Sequence, residues 1–383
     1  MLAIFLAAFA NVVGLGVIVP LLPYFALHYG GNAVEAAMLF SVFSLAQFLT
    51  APLWGRLSDR IGRKPVILIS FAGSTLGYVW LAFADGLMMI YLARIFAGVM
   101  NGWLATSQAY VADVTDEEGR AKGMGMLGAA FGLGFIIGPA LGGYLAGEGV
   151  VNYELPMLIA AAGSAVAFII SAILLREPER YKDNAPSAVS FLPRLRGIPV
   201  LLVLIFLYFG LFFVFSGMES TLALWCDRIL DMGPRQVGYY LAFAGIAGVI
   251  VQGGLVGRLV PVFGETKVII FGLICLAIGL AGLPSVSVEI WLLLPIGLLS
   301  VGFGFANPSL QSLISRAAPN DIRGGTMGIA QSVNSLGRIT GPAWAGIAFI
   351  DLGVGWPFYS GAALILPILL ATIILSRRVR YDV

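Results

Sequence analysis

Apolar segments long enough to cross a bilayer recur along all 383 residues, and they constrain the fold more than any other feature. A membrane-spanning helix needs about 20 mostly apolar residues. Only 11% of the residues are charged, against about 25% in soluble domains, so a soluble fold of this size is excluded. We predict an all-α membrane protein with 12 transmembrane helices, in the segments 1–27, 34–54, 66–84, 87–112, 121–147, 154–175, 199–224, 235–257, 267–283, 289–313, 323–349 and 355–376.

One long polar stretch divides these segments into two groups of six. We predict an N-terminal six-helix bundle at 1–175, a linker at 176–198 and a C-terminal six-helix bundle at 199–383. The halves are repeats, because residues of the first recur about 202 or 203 positions later: Gly55, Gly62, Gly134, Gly138 and Gly143 correspond to Gly257, Gly264, Gly337, Gly341 and Gly346. Two pseudo-symmetric halves predict a central site between them and alternating access to it.

Basic residues predict the orientation in the membrane. With the N-terminus in the cytoplasm, 18 of the 22 Lys and Arg residues fall in cytoplasmic loops and two, Arg228 and Arg235, in outer loops. The remaining two, Arg94 and Arg338, lie inside predicted helices. Lys and Arg concentrate on the cytoplasmic side of membrane proteins. We therefore predict a multi-pass protein of the inner membrane with both termini and the linker cytoplasmic.

Ionisable residues inside the helices mark candidate sites, because each costs several kcal/mol in lipid unless it is paired or hydrated. The three are Glu219, Arg338 and Arg94. Burial favours a neutral carboxyl and a nearby cation favours the carboxylate, so Glu219 can exchange protons. The alternatives are that Glu219 binds a cationic substrate or forms a fixed salt bridge with Arg338. For Arg94 we expect one of two roles, either a part in proton coupling or the organisation of water molecules in the cavity.

The turn from Gly55 to Lys64 carries five charges in ten residues between two apolar segments. It reads G-x-L-x-D-R-x-G-R-K, which resembles the turn between the second and third helices of the major facilitator superfamily. Arg94 to Gly98 resembles that superfamily's R-x-x-x-G element. The glycines of the fifth segment are similar to the antiporter motif, with Gly134, Gly138, Pro139, Gly142 and Gly143. The chain is identified as a member of the twelve-helix drug:proton antiporter family.

The first segment narrows this resemblance. Asn11 to Pro20 resembles the first helix of tetracycline exporters, although that family has Asp where this chain has Asn11. The ninth segment also lacks the acid that those exporters keep there. The resemblance implies a major facilitator fold and a charge network that closes the cytoplasmic side, with Asp59 near the start of the eleventh helix. Its predicted residues are Gly55, Asp59, Arg60, Gly62, Arg63, Lys64 and Asp113. The alternative is that these charges only anchor the topology of the chain in the membrane.

Two further expectations concern gating. The second-half counterpart of the turn, Gly257 to Gly264, has no acid, so a charge latch built on Asp59 is one-sided. The glycines of the fifth segment share one side of the helix, where small residues let another helix approach. They serve packing alone, or they also form the seam against the eighth helix on which the two halves pivot.

Polar and aromatic side chains on the helices are candidates for lining the cavity. Some polar ones are alternatively hydrogen-bond partners between helices. The candidates are Asn11, Gln47, Asn101, Gln108, Tyr208, Phe212, Gln252, Asn307, Gln311, Gln331 and Asn334.

Together these features predict a secondary active transporter that exports small hydrophobic or cationic compounds, including drugs, in exchange for protons. Its partners are the substrate, protons and the lipid bilayer, it is a monomer, and it needs no cofactor, metal or nucleic acid. The alternatives on the same fold are an uptake symporter or facilitator for a metabolite, or a lipid translocator. A membrane enzyme or receptor fits poorly, because the sequence has no catalytic cluster and no soluble sensor domain.

Overall fold

The computed structural model of the chain describes residues 1–149, 151–178, 198–319 and 322–379. All regular structure in these ranges is helical. Ten of the described helices are long and apolar enough to span a membrane, and an eleventh span results if Leu2–Ile18 and Leu22–His28, bent by 41°, are counted as one. The helix Arg323–Asp351 is also long enough, but its polar residues, Arg338 among them, make it less apolar. The predicted all-α membrane fold is confirmed, with helices in all twelve predicted segments.

We number the spans first to twelfth along the chain. They are Leu2–Ile18 with Leu22–His28, Ala33–Ile61, Arg63–Ala82, Leu87–Val114, Glu117–Ala146, Glu154–Leu174, Pro199–Leu230, Pro234–Phe263, Glu265–Ser285, Glu289–Ala317, Arg323–Asp351 and Trp356–Val379.

Among the described residues, three spans are interrupted within their α-helix, and 3-10 turns end the ninth span and begin the tenth. The first is interrupted around Pro20, and the eighth contains a π-helical turn at Val251–Leu255. The fourth is interrupted between Val99 and Trp103. There the Val99 carbonyl accepts a hydrogen bond from Nε1 of Trp54 at 2.6 Å. A side chain of the second span thus satisfies a backbone group at the break, as burial in a membrane requires.

The chain forms two compact units. Unit 1 comprises Met1–Asp183 and Cys226–Gly245, and unit 2 comprises Asn184–Trp225 and Ile246–Val383. The end of the seventh span and the start of the eighth therefore belong to unit 1. The bundle boundaries proposed from the sequence stay a prediction.

Small residues bring the first span of unit 1 close to its neighbours. A Cβ on Gly14 would lie 2.8 Å from the carbonyl oxygen of Ala160 in the sixth span, and one on Gly163 would lie 2.8 Å from that of Ala10. The core beside this contact is aromatic and aliphatic, with Trp103 stacked on Phe131 at 5.5 Å. Larger side chains at either glycine would push these helices apart.

Glycines of unit 2 also bring two helices into close contact, here the seventh and eleventh spans. Gly337 and Gly341 of the eleventh span pack against the backbone of the seventh span, at Phe209 and Phe213 respectively. In unit 1 their repeat counterparts Gly134 and Gly138 pack against the first span. The same helix pairing therefore serves both halves of the sequence repeat.

The turns at Gly62 and Gly264 are also structural counterparts. Gly62 lies between the second and third spans with a φ of 115°, and Gly264 lies between the eighth and ninth with a φ of 81°. Residues with a side chain rarely adopt this left-handed conformation. The repeated glycines are thus explained by the direction in which the chain must turn.

Candidate functional site

The side chain of Arg63 joins the end of the second span to the end of the fourth. Its Nη1 donates to Oδ1 of Asp59 at 2.6 Å and to Oγ of Ser58 at 2.7 Å, and its Nε donates to Oδ2 of Asp113 at 2.8 Å. The Asp59 side chain is 64% exposed and that of Arg63 20% exposed. The structure thus brings together Asp59, Arg63 and Asp113 of the predicted gating set.

Glu177 completes this turn, and the sequence analysis missed it. One carboxylate oxygen accepts from the backbone N–H of Arg63 at 2.6 Å, and the other accepts from that of Lys64 at 2.9 Å. Both N–H groups belong to the first turn of the third span and have no partner within that helix. Nζ of Lys64 donates to the carbonyl of Ala172 at 2.7 Å. The turn is therefore attached to the end of the sixth span at two points.

Gly62 is required at this turn for a second reason. A Cβ there would lie 2.6 Å from Oε1 of Glu177, so any side chain would displace the carboxylate. The remaining members of the predicted set are Gly55 and Arg60. Gly55 has open space where a Cβ would stand, and Arg60 is exposed. The proposed approach of Asp59 to the eleventh helix stays a prediction.

Unit 2 carries a charge pair at the position corresponding to Arg63 and Asp113, with the signs exchanged. Nη1 of Arg316 donates to Oε1 of Glu265 at 2.6 Å, and the Glu265 side chain is only 13% exposed. A shift of 202 or 203 residues relates Arg63 to Glu265 and Asp113 to Arg316. Asp59 itself has Pro261 as its counterpart, as the sequence indicated, but a charge pair is present in both repeats.

Arg94 is buried in unit 1, with 4% of the residue exposed. Its guanidinium lies 4.3 Å from the centre of the Phe43 ring, and its Nε donates to the carbonyl of Leu39 at 3.4 Å. Gly98, four residues further along, packs against the backbone of Phe43. The R-x-x-x-G element therefore fits one helical face closely against the second span.

The glycines of the fifth span face two different neighbours. Gly134, Gly138 and Gly142 pack against the first span, where Gly142 meets the Val17 carbonyl. Gly143 instead faces the start of the eighth span, and a Cβ there would lie 2.7 Å from the carbonyl oxygen of Pro234. The expectation that all four share one side was therefore too simple, because adjacent residues point about 100° apart on a helix.

Close packing of the fifth and eighth spans continues along unit 1. Gly238 packs against the carbonyl of Pro139, a residue of the predicted motif. A Cβ on Gly245 would lie 2.8 Å from the carbonyl oxygen of Phe135. The eighth span thus supplies the glycines that make most of this seam possible.

Asn11 lies between helices. It is 2% exposed, and its Oδ1 accepts from Oγ of Ser164 in the sixth span at 2.9 Å. The expectation that Asn11 lines the cavity gives way to the alternative of an interhelical hydrogen bond, because its side chain has no exposed surface of consequence.

Four of the cavity candidates form a polar cluster in unit 2. Nε2 of Gln311 donates to the Tyr208 hydroxyl at 2.7 Å and to Oδ1 of Asn307 at 3.1 Å. Asn334 lies within hydrogen-bonding reach of the same hydroxyl. Its Oδ1 is buried and makes no hydrogen bond to any residue that the structure describes. The cluster connects the seventh, tenth and eleventh spans.

Aromatic rings continue this face along the seventh span. Tyr208 meets Phe212 edge-on at 5.0 Å, and Phe303 of the tenth span contacts Phe212 at 5.5 Å and stacks on Phe215 at 3.8 Å. The next turn of the seventh span carries Glu219. One helical face therefore changes from hydroxyl to aromatic to carboxyl.

Glu219 and Arg338 interact without direct contact. Arg338 lies within electrostatic range of the Glu219 carboxyl, but no salt bridge joins them among the described residues. Glu219 is half-buried and Arg338 is exposed. The two side chains thus do not form the fixed salt bridge that the sequence left open as an alternative.

The remaining polar candidates are distributed over both units. Gln47 is half-buried, and Asn101 is half-buried at the break of the fourth span. Gln108, Gln252 and Gln331 are exposed, Gln252 on the π-helical turn. The described residues contain no group of three or more His, Cys, Asp or Glu able to hold a metal ion.

Comparisons with known proteins agree with this architecture. The model of the Major Facilitator Superfamily matches residues 4–342 and 255–381. The class B tetracycline resistance protein of Escherichia coli is 30% identical, over 92% of this chain and 90% of the relative. Multidrug resistance protein 2 of Bacillus subtilis is 32% identical, over 91% and 88%. The crystal structure of the nucleoside transporter NupG is similar in fold, with a TM-score of 0.78 at 14% identity over 97% of this chain and 98% of that one.

Proposed function

The chain belongs to the Major Facilitator Superfamily, and on that premise we propose that it exports small hydrophobic or cationic compounds in exchange for protons. It is a multi-pass membrane transporter and not an enzyme. The names of its relatives, which include tetracycline and multidrug resistance proteins, support a drug as the exported compound.

The observation that carries the proton-coupling proposal is the loose pairing of Glu219 with Arg338. A carboxyl in direct contact with a guanidinium is held ionised, whereas one without any cation nearby stays neutral in a membrane. Glu219 is half-buried and has Arg338 in range but not in contact. Small changes in their separation therefore change which protonation state is favoured, which is what a proton-coupling group must allow.

The substrate face in this proposal is the row of side chains leading to Glu219. Phe212, Phe215 and Phe303 offer aromatic surface, which attracts cations as well as apolar compounds. Tyr208 and its amide partners add hydrogen-bonding groups at one end. The carboxylate form of Glu219 attracts a cationic substrate, whereas the protonated form carries no charge and does not. Proton uptake by Glu219 therefore favours substrate release.

The proposed transport cycle alternates between two openings of a site between the bundles 1–175 and 199–383. We assign gating to the Arg63 network and the fifth-span glycines, and a second coupling role to Arg94. The excess of Lys and Arg in one set of loops supports an inner-membrane protein with a cytoplasmic linker and both termini cytoplasmic. The proposed active species is a monomer.

Transport by purified protein in proteoliposomes tests this proposal. Vesicles with an acidic lumen are given ethidium or tetracycline, and accumulation is compared with and without the proton gradient. Wild type should accumulate substrate about tenfold or more, equivalent to about 1.4 kcal/mol. Glu219→Gln should lose gradient-driven accumulation and retain exchange of labelled for unlabelled substrate.

A matched variant separates coupling from a general effect of the substitution. Glu289→Gln makes the same change at the exposed first residue of the tenth span and should transport as wild type does. Undiminished gradient-driven accumulation in Glu219→Gln would exclude the proposed proton site. Substrate movement in the same direction as protons would instead identify an uptake symporter.

A further inference from the structure

An apolar groove lies between the seventh and twelfth spans of unit 2. Its volume is 730 Å³, and all twelve of its lining residues are apolar. The seventh span contributes the stretch from Leu202 to Val214, and the twelfth contributes Leu364 to Ala371. Leu202 and Phe206 are 43% and 66% exposed, so the groove opens towards the lipid.

The groove is closed at one end. A Cβ on Gly361 would lie 3.1 Å from Cγ1 of Val214, and beyond this level Trp225 contacts Phe358 edge-on at 6.2 Å. From Val214 the groove extends along the seventh span to Leu202, and on the way Gly210 lies in close contact with Ile368 of the twelfth span. The 12 residues between Leu202 and Val214 correspond to about 18 Å along a helix axis.

In unit 1 the position that corresponds to the Val214 end of the groove is closely packed. At a shift of 203 residues, Val214 corresponds to Asn11, which is hydrogen-bonded to Ser164. Ala10 and Gly163 are in close contact beside that bond. Close packing at this end is therefore common to both repeats.

We propose that this groove binds one acyl chain of a membrane phospholipid, with the chain's methyl end at Val214. The length of about 18 Å compares with about 15 Å for half of the hydrocarbon core, so a single chain aligned with the helices fills it. The groove contains no polar side chain that could orient a drug, which distinguishes it from the Tyr208 face of the same helix. An ordered chain there buttresses the seventh span, which carries Glu219.

Photo-crosslinking tests this assignment independently of transport. Proteoliposomes are prepared with phosphatidylethanolamine bearing a diazirine in the middle of one acyl chain, and adducts are mapped by mass spectrometry. Peptides containing residues 202–214 and 364–371 should carry most adducts. Ala371→Phe, which fills the groove, should reduce labelling there at least about fivefold, since that equals roughly 1 kcal/mol of lost affinity.

Two further variants keep the result interpretable. Ala363→Phe makes the same change on the exposed surface of the same span, outside the lining, and should label as wild type does. Ala371→Leu fills the groove partly and should reduce labelling less, in case the larger residue disturbs folding. Equal labelling of all lipid-facing spans, or unchanged labelling in both Ala371 variants, would overturn the proposal. Displacement of the label by ethidium or tetracycline, but not by unlabelled phospholipid, would make the groove a drug site instead.

Discussion

Removing the Glu177 carboxylate should destabilise the start of the third span. In Glu177→Ala the N–H groups of Arg63 and Lys64 lose acceptors at 2.6 and 2.9 Å. Both N–H groups lie at the N-terminus of a helix, where the backbone carries partial positive charge and a carboxylate is favoured. The turn would then keep the bonds of the Arg63 side chain and of the Lys64 amine.

The size of the effect follows from these two bonds. Loss of a capping side chain costs about 0.5–2 kcal/mol, and a hydrogen bond to a charged group contributes about 1.5–3 kcal/mol. Glu177 is exposed, so water replaces part of each interaction. We expect a loss of about 1–2 kcal/mol for Glu177→Ala. Glu177→Gln keeps one acceptor oxygen and should lose about half as much.

Equilibrium unfolding of the purified protein measures this loss. Tryptophan fluorescence is followed as the SDS fraction in mixed micelles increases. Asp85→Ala removes an acid from an exposed position before the fourth span and serves as the control. The stabilities should rank wild type above Glu177→Gln and Glu177→Gln above Glu177→Ala. If Glu177→Ala stays within about 0.5 kcal/mol of the control, the range usual for surface substitutions, the carboxylate does not stabilise the turn.

Two further predictions use contacts of the fifth and first spans. Gly142→Ala should lower the thermal unfolding temperature, because the added methyl would meet a backbone carbonyl of the first span, whereas Gly125→Ala on the same helix has open space and should raise stability by up to about 1 kcal/mol. Equal effects of these two substitutions would contradict the packing argument. Asn11→Ala and Ser164→Ala should each destabilise the protein, and a double-mutant cycle should give a coupling of about 0.6 kcal/mol, typical of hydrogen bonds between membrane helices. Additive effects would mean that the bond contributes nothing.

The repeats and turns were predictable from the sequence, because glycines with special roles keep their spacing. Gly62 and Gly264 recur at a fixed distance and both adopt positive φ. Spacing alone could not assign neighbours to the fifth-span glycines. A separation of four residues fixes a common face but does not identify the helix opposite it, and Gly143 is turned away from Gly142 towards a different span.

Charge pairs were harder to predict, because the sequence comparison matched like residues with like. It found Pro261 in place of Asp59 and predicted a one-sided latch. The pair of Glu265 with Arg316 was detectable by aligning opposite charges at the same shift, since Arg63 and Asp113 map onto it with exchanged signs. Glu177 gave a weaker signal, an acid next to a proline just after a span, and only the folded turn shows which N–H groups it reaches.

The different environments of the two repeat halves explain why the proposed proton-exchanging carboxyl, Glu219, lies in unit 2. In unit 1 the first span is closely packed against the fifth and sixth spans, and the side-chain oxygen of its Asn11 accepts a hydrogen bond from Ser164. The equivalent span of unit 2, the seventh, instead carries Tyr208 in a polar cluster and Glu219 without a direct partner among the described residues. A carboxyl can change its protonation state repeatedly only where its surroundings tolerate both states. The loosely paired Glu219 meets this condition, so the same repeated helix packs closely in unit 1 and carries the proposed proton site in unit 2.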